Sequence, residues 1–384
     1  MPLNNMTFRA SELEVRGLER LMKAKPPPID EVAFGNCFCP LYMTIEYDES
    51  AGGWRPPVVQ RIEAGPLLHP ASLVFHFAVE TMETLKAFRA KSDPTRIQLF
   101  RPDYKAKALV KAAQRATLPT FDPEEFVKCL QKFTRILEDW VPDSSKGALY
   151  FRPMLIGTEA TFLHKRPSQA LLNVVATIWK PYFGSGRALS LYADRRFNRA
   201  WPGGVAEHKM GCLYTPTLQV IDIAKEHGCD QVLYQYGPDG TVLEAGTMNV
   251  CIVLAAEGDG DGAPRTKRIL RMPTLEKGVV FPGVYRDTLI QLCAEYAIHC
   301  EVSDFTVEDL HRFAEDGRLL EMFGCGTGAG ICAVGSVFDS QRQSWIRVPT
   351  LEQTEERSLM KFCQTLLDDI HNGTIEKHGW MTPC

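Results

Sequence analysis

A long apolar run is the first thing this chain lacks. Its most hydrophobic stretch, around residues 170–179, falls far short of the roughly 20 residues that a membrane-crossing helix needs. An excess of one charge is lacking too. Lys and Arg number 43 against 47 Asp and Glu, a net charge of −4, and no block of like charges forms a tail. Nucleic-acid binding would call for a basic surplus, so neither nucleic acid nor a membrane is an expected partner. Twelve cysteines are scattered without a CxxC pair, Cys37-x-Cys39 has the wrong spacing for a zinc knuckle, and nine histidines form no HExxH. Reduced thiols and no metal site are expected. The N-terminal stretch mixes Glu12 and Glu14 with its basic residues and has no apolar core, which fits neither a secretory signal nor a clean mitochondrial leader. The expected compartment is the cytoplasm, with the mitochondrion as the alternative, so the sequons at Asn5 and Asn372 carry no weight. No internal repeat or low-complexity segment is present. These exclusions point to a small-molecule substrate.

What is present suits an α/β protein of two domains: 384 residues, 45% of them apolar. Alternation over 42–47 predicts a half-buried strand, and 96–101, 147–156 and 171–179 predict further strands. Residues 73–88 are mixed: the beginning could be strand, while 79–88 has helical spacing. Helices are predicted over 104–117 and from Asp122-Pro-Glu-Glu125, an N-cap followed by proline and first-turn acids, to about Trp140. This mixture makes the first half an α+β domain. Pro181-Tyr-Phe-Gly-Ser-Gly186 interrupts the pattern, giving a small N-terminal domain over 1–183, a linker over 184–190 and a larger domain over 191–384. The second half should hold strands at 188–192, 231–236 and 249–255, and helices at 217–227, 282–297, 306–315 and 351–370. Residues 257–264 read as a surface loop; Asp259 and Asp261 have calcium-loop spacing, but the glutamate such a loop needs is missing.

Three stretches carry candidate chemistry. In Trp201-Pro-Gly-Gly-Val-Ala-Glu-His-Lys209-Met-Gly-Cys-Leu-Tyr-Thr-Pro-Thr217 one lysine lies between glycines on a loop from strand to helix, with no amphipathic period around it. Most lysines are solvent charges. Here Gly203, Gly204 and Gly211 would let a ligand approach, and a desolvated amine can form a Schiff base. In Thr241-Val-Leu-Glu244-Ala-Gly-Thr-Met-Asn249 an acid stands in a strand of small and apolar residues, so it is either an edge-strand surface acid or has a buried partner. Phe323-Gly-Cys-Gly-Thr-Gly-Ala-Gly-Ile-Cys332 exposes successive backbone amides, which serve a tight turn or hold phosphate or carboxylate oxygens. Its Gly324-x-Gly326-x-x-Ala329 formally satisfies a dinucleotide fingerprint, yet a strand follows where a helix is required, so a Rossmann site is rejected.

Together these stretches resemble the branched-chain amino acid aminotransferases, pyridoxal phosphate enzymes of fold type IV. The resemblance covers almost the whole chain and includes Leu85-Lys-Ala-Phe-Arg89, Arg115-Ala-Thr-Leu-Pro119, Phe151-Arg-Pro-Met-Leu-Ile-Gly-Thr-Glu159, Gln231-Val-Leu-Tyr234 and Phe281-Pro-Gly-Val284. It implies transfer of the amino group of leucine, isoleucine, valine or a close analogue to 2-oxoglutarate, and a homodimer. Lys209 would form the aldimine with pyridoxal 5'-phosphate and then carry the proton between the substrate α-carbon and the cofactor. Glu244 would keep the pyridine nitrogen protonated, and Tyr214 would bond the phenolic oxygen. Thr247, Thr327 and the backbone at Val279 and Val280 would hold phosphate or ring. Phe34, Tyr150, Arg152 and Tyr182 would line the substrate pocket, with amides at Thr327 and Gly328 for the α-carboxylate; each aromatic has core packing as its other reading.

The chain departs from that family at several places. Ala108 stands where the family has a phosphate-gripping arginine, and Lys107 and Lys111 point elsewhere on a helix. Phe77, Cys212 and Leu213 replace an expected tyrosine, glycine and asparagine. Ala329 replaces the first cysteine of a redox CxxC found in animal members, leaving Cys332 alone, so thiol switching of that kind should be absent. These changes suggest a specialised paralogue, serving biosynthesis or secondary metabolism. The alternatives are another fold type IV activity, D-amino acid transamination or aminodeoxychorismate lyase, or a catalytically weak paralogue acting as a binding subunit.

Overall fold

The strand Ala148–Gly157 pairs antiparallel with Gln169–Trp179 along its whole length, from Ala148 opposite Trp179 to Gly157 opposite Ala170. Apolar side chains on both faces bury this ladder, and it is the spine of a ten-stranded sheet among the described residues. The computed structural model describes residues 7–16, 25–180, 187–256, 268–349, 358–377 and 379–384. Leu41–Asp48 pairs with Gln169–Trp179, and Leu85–Arg89 pairs with Ala148–Gly157. Two helices, Pro102–Arg115 and Pro123–Ile136, share one core with this sheet, where Leu99, Leu109, Phe126, Phe133, Phe151 and Leu172 meet. The second helix starts as its sequence predicts: the Glu124 N–H donates to Asp122 Oδ1 at 2.8 Å, with proline next in the chain.

One prediction is corrected here. Residues 79–88 are not helical: Glu80–Met82 and Leu85–Arg89 are strands, and a short helix, Leu73–Phe77, comes before them where a strand was the other reading. Leu85 through Phe88 are all buried. A strand covered on both faces shows no alternation, so its apolar residues mimic helical spacing.

The second sheet closes on itself. Its strands run Thr241–Ala245, Gln231–Tyr236, Leu189–Ala193, Gly330–Asp339, Leu319–Gly326 and Met248–Ala255, and the last pairs back to the first. Closure leaves these six strands without a free edge. Arg268–Met272 and His299–Val302 extend the sheet beyond Met248–Ala255. Val307–Glu315 packs into the same core and begins with the capping box that Thr306 and Asp309 encode.

The chain forms two compact units. One comprises Met1–Tyr182, His208–Cys212 and Asp369–Cys384; the other comprises Phe183–Glu207 and Leu213–Asp368. A single cut at 184–190 therefore does not describe the division, since two later segments return to the first unit. The C-terminal strand Met381–Pro383 returns because it pairs with Ile97–Phe100. The lysine segment returns because the strand Glu80–Met82 binds its backbone. Residues 184–186, the loop at 257–264 and the first part of the predicted 351–370 helix lie outside the described residues; that helix is seen as Leu359–His371. No helix among the described residues is long and apolar enough to cross a membrane, and no cluster there could hold a metal ion. All twelve cysteines are free thiols.

Candidate active site

In the second unit the site is built around Glu244, on a strand of the closed ring. Register sets Tyr234 opposite it on one neighbouring strand and Asn249 on the other. Glu244 is 2% exposed. Its Oε2 lies 2.9 Å from Arg199 Nη2, in a pair whose side chains are 5% and 3% exposed. The Phe281 N–H donates to its Oε1 at 2.7 Å, and Asn249 Nδ2 reaches the same oxygen at 3.4 Å while also donating to the Phe281 carbonyl at 2.7 Å. Burying two charges is offset only by such multiple contacts. The surface-acid reading of Glu244 is thus replaced by a buried, partnered acid.

The same contacts pin the predicted Val279 and Val280. Both are buried in the cluster that holds Ala200, Tyr234 and Leu243, one step before the Phe281 amide that Glu244 fixes. Tyr214 is half-buried, and its carbonyl accepts from Thr217 Oγ1 at 2.6 Å. Thr217 also bonds the Tyr234 hydroxyl, which burial pushes up to about 12, eased by that bond and by the charge of Arg199. Tyr214 is therefore tied to the Glu244 row through Thr217 and Tyr234.

Thr247 and Thr327 sit in turns at one end of paired strands. Asn249 is in register with Cys325, and a side chain at Gly326 would come 3.7 Å from the Thr247 carbonyl oxygen, so the two turns lie side by side. Thr247 is exposed and Thr327 buried. A Cβ at Gly328 would meet nothing within 4 Å, so the Thr327–Gly328 turn opens onto free space.

In the first unit the Lys209 carbonyl accepts from the Met82 N–H at 2.9 Å and from Thr81 Oγ1 at 3.1 Å, and its side chain is half-buried. The Glu80 side chain packs directly on Gly211, where a Cβ would fall 1.7 Å from Glu80 Oε1. Burial raises the pKa of that Glu80 carboxyl. The next acid along, Glu83, grips Lys105 Nζ at 2.9 Å, with the side chains 3% and 4% exposed. Burial pulls the Lys105 ammonium below its ordinary pKa; Glu83 opposes this, and the like charges of Lys209 and Arg101 add to it.

Three predicted pocket residues meet in this unit. Phe34 stands edge-on to Tyr150 with ring centres 5.1 Å apart, and Arg152 Nη2 donates to the Tyr150 hydroxyl at 3.2 Å. Arg152 Nη1 lies 3.3 Å from Met82 Sδ, on the residue that binds the Lys209 carbonyl. The fourth, Tyr182, lies outside the described residues. Sequence reasoning passed over Arg199, Asn249, Glu83 and Lys105. Only Asn249 lay within one of the three stretches; the others carried no local signal.

Taken unit by unit, the donors are of the kinds that the cofactor implied by the family resemblance needs. The second unit has a buried carboxylate that suits a ring nitrogen and glycine-turn amides that suit a phosphate; the first has a half-buried lysine that suits an aldehyde and a buried cation that suits a phosphate. Arg199 Nη1 adds a further observation: it is buried beside Glu244 with no hydrogen-bond partner among the described residues.

Residues 81–337 match the family described as amino-transferase class IV. The chain is similar, at 38% identity over 377 residues, to the cytosolic branched-chain-amino-acid aminotransferase of Mus musculus, covering 96% of this chain and 92% of that protein. It is similar at 35% identity over 377 residues to the mitochondrial branched-chain-amino-acid aminotransferase of Rattus norvegicus, covering 97% and 91%. Among solved structures, a branched-chain amino acid aminotransferase from Thermobaculum terrenum in its PLP form aligns with a TM-score of 0.66 at 16% identity, over 89% of this chain and 97% of that one. At that identity the structural likeness establishes the fold, which is fold type IV.

Proposed function

The chain belongs to amino-transferase class IV, and within it to the branched-chain-amino-acid aminotransferases; from that membership we propose how its own residues move an amino group from a branched-chain L-amino acid to 2-oxoglutarate. Pyridoxal 5'-phosphate is the cofactor of this reading, supported by the donor set and by the PLP form of the Thermobaculum terrenum relative. When bound it supplies a carbonyl to accept the amino group and a ring to draw electrons from the reacting carbon.

The protein's part divides among named residues. The Lys209 amine would hold the cofactor and, once released by the incoming amino acid, would carry the proton from the substrate α-carbon to the cofactor, and in the reverse half from the cofactor to the α-carbon of the second substrate. Glu244 would hold the proton of the ring nitrogen; Arg199, the Phe281 amide and Asn249 fix that carboxylate in place. Tyr214 orients the ring hydroxyl. The turns at Thr247 and Thr327, with the Val279–Val280 backbone, offer donors to phosphate or ring. Phe34 and Tyr150 suit a branched aliphatic side chain, Tyr182 belongs to the same wall, and exposed Arg152 suits the second carboxylate of glutamate. The Thr327 and Gly328 amides suit the α-carboxylate. The active form of this reading is a homodimer, tested by light scattering. Its compartment is that of one of its cytosolic or mitochondrial relatives.

The observation that carries this reading is Glu244, an acid buried inside an apolar ring and fixed there by Arg199, the Phe281 amide and Asn249. Neither fold type IV alternative, nor a binding subunit, gains support from the two relatives described above, both named branched-chain-amino-acid aminotransferases. A panel of amino donors with 2-oxoglutarate tests the assignment: L-leucine, L-isoleucine and L-valine should be used and D-leucine should not. Preference for D-leucine, or no transfer from any of the three, would overturn it. The narrower idea of a specialised paralogue ends if all three are used equally well.

A further inference from the structure

We propose that Lys105 grips the phosphate of pyridoxal phosphate in this chain, doing from one helical turn earlier what an arginine at position 108 would do. This rests on the aminotransferase reading and adds a residue to it.

Position 108 on the helix Pro102–Arg115 is alanine, which offers no charge. The other nearby lysines of that helix face solvent: Lys107 and Lys111 are exposed, and Lys107 pairs with exposed Asp103 at 3.7 Å. Lys105 differs from both. Lys105 and Lys111 each stand three residues from Ala108, but only Lys105 is buried. An ammonium is seldom left at 4% exposure without a charge to meet.

Glu83 alone does not account for it. Glu83 Oε2 accepts one Lys105 N–H at 2.9 Å and also the N–H of Thr84 at 2.9 Å, so the carboxylate is fixed and in turn fixes the ammonium. An ammonium has three donors, and among the described residues one is used. The charges of Lys209 and Arg101 also act on Lys105 and oppose its own. A dianionic phosphate would take up the remaining donors in a desolvated setting, where charge-assisted bonds are strong. The link to the reacting lysine is short in the chain as well: Thr81 and Met82 bind the Lys209 backbone, and Glu83 follows directly.

The test compares two aldehydes that differ only in the phosphate. The full-length apoprotein is titrated with pyridoxal phosphate and with pyridoxal, following absorbance, and the ratio of the two affinities is the readout. Glu83→Gln/Lys105→Gln avoids stranding a buried carboxylate. It should cut the ratio by about 10- to 100-fold, the worth of one charged hydrogen bond. Glu83→Gln alone should leave the ratio within about threefold, and adding Ala108→Arg to the double variant should restore it. A double variant that keeps the wild-type ratio, or loses both ligands equally, overturns the proposal. Should the double variant not fold, Ala108→Arg in the otherwise wild-type chain decides. A gain in the ratio below about fivefold means the phosphate already has its cation, and a larger gain means it has none. If wild-type protein binds neither aldehyde, the aminotransferase reading itself fails, a result distinct from either of these.

Discussion

Two carboxylates, Glu244 and Glu83, are almost fully buried, each against one cation that the sequence offered no reason to single out. Removing one partner of such a pair leaves the other charged and dry. Arg199→Met should therefore lower the stability of the protein by about 3–5 kcal/mol, read from denaturant melts of the apoprotein; a loss below about 1 kcal/mol would mean that Glu244 reaches water. Glu244→Gln keeps the volume and loses the charge, so it should slow amino transfer from leucine by about 100-fold with KM little changed. An unchanged kcat would remove Glu244 from the mechanism. Lys209 and Glu244 could be picked from sequence because each interrupts a local pattern: glycines without a period in one case, a strand of small residues in the other. Arg199, Lys105 and Glu83 could not. Their partners are distant along the chain, and a basic residue on a helix reads as solvent charge until burial is seen.

Local rules were readable where local chemistry decides the structure. The Asp122 cap and the Thr306–Asp309 capping box both form as their residues dictate. Thr306→Ala removes the acceptor for the Asp309 N–H and should cost about 1 kcal/mol, measured as a shift in melting midpoint. Gly147→Ala should cost more, about 1–3 kcal/mol. Its Cβ would lie 2.2 Å from the Trp179 carbonyl oxygen, a backbone atom at the end of the central ladder that cannot turn aside. Melting like wild type would show that the end of this ladder gives way easily. Where both faces of a strand are covered, the same reasoning failed, as at 85–88, because periodicity reports one-sided burial and nothing else. Ring closure of the second sheet was likewise out of reach, since the pairings of Leu189–Ala193 with Gly330–Asp339 and of Met248–Ala255 with Leu319–Gly326 join residues far apart in the chain.

At the scale of the whole molecule, two units were legible from length and composition. The return of the lysine segment and the C-terminal strand to the first unit was not, for it depends on pairing across the chain. The C-terminal segment also sets an acid limit. His371 is stacked on Phe88 at 4.2 Å and meets Phe100 edge-on at 4.6 Å. Burial, and then the charge of Lys86, hold its imidazole well below the ordinary 6.5. The unfolded chain thus takes up a proton near 6.5 that the folded one refuses, so stability from the neutral ring is complete above that pH and is lost as pH falls below it. His371→Phe should flatten the loss of stability between about pH 6.5 and 5, followed by denaturant melts; an unaltered slope would assign that loss to other groups.

The central claim is that Lys209 carries the amino-transfer chemistry, and borohydride reduction followed by peptide mapping tests it most directly. Protein loaded with pyridoxal phosphate should yield a phosphopyridoxyl group on the peptide containing Lys209, and prior incubation with L-leucine should abolish that label by loading the cofactor with the amino group. A label on another lysine, or one at Lys209 that leucine leaves intact, would contradict the account.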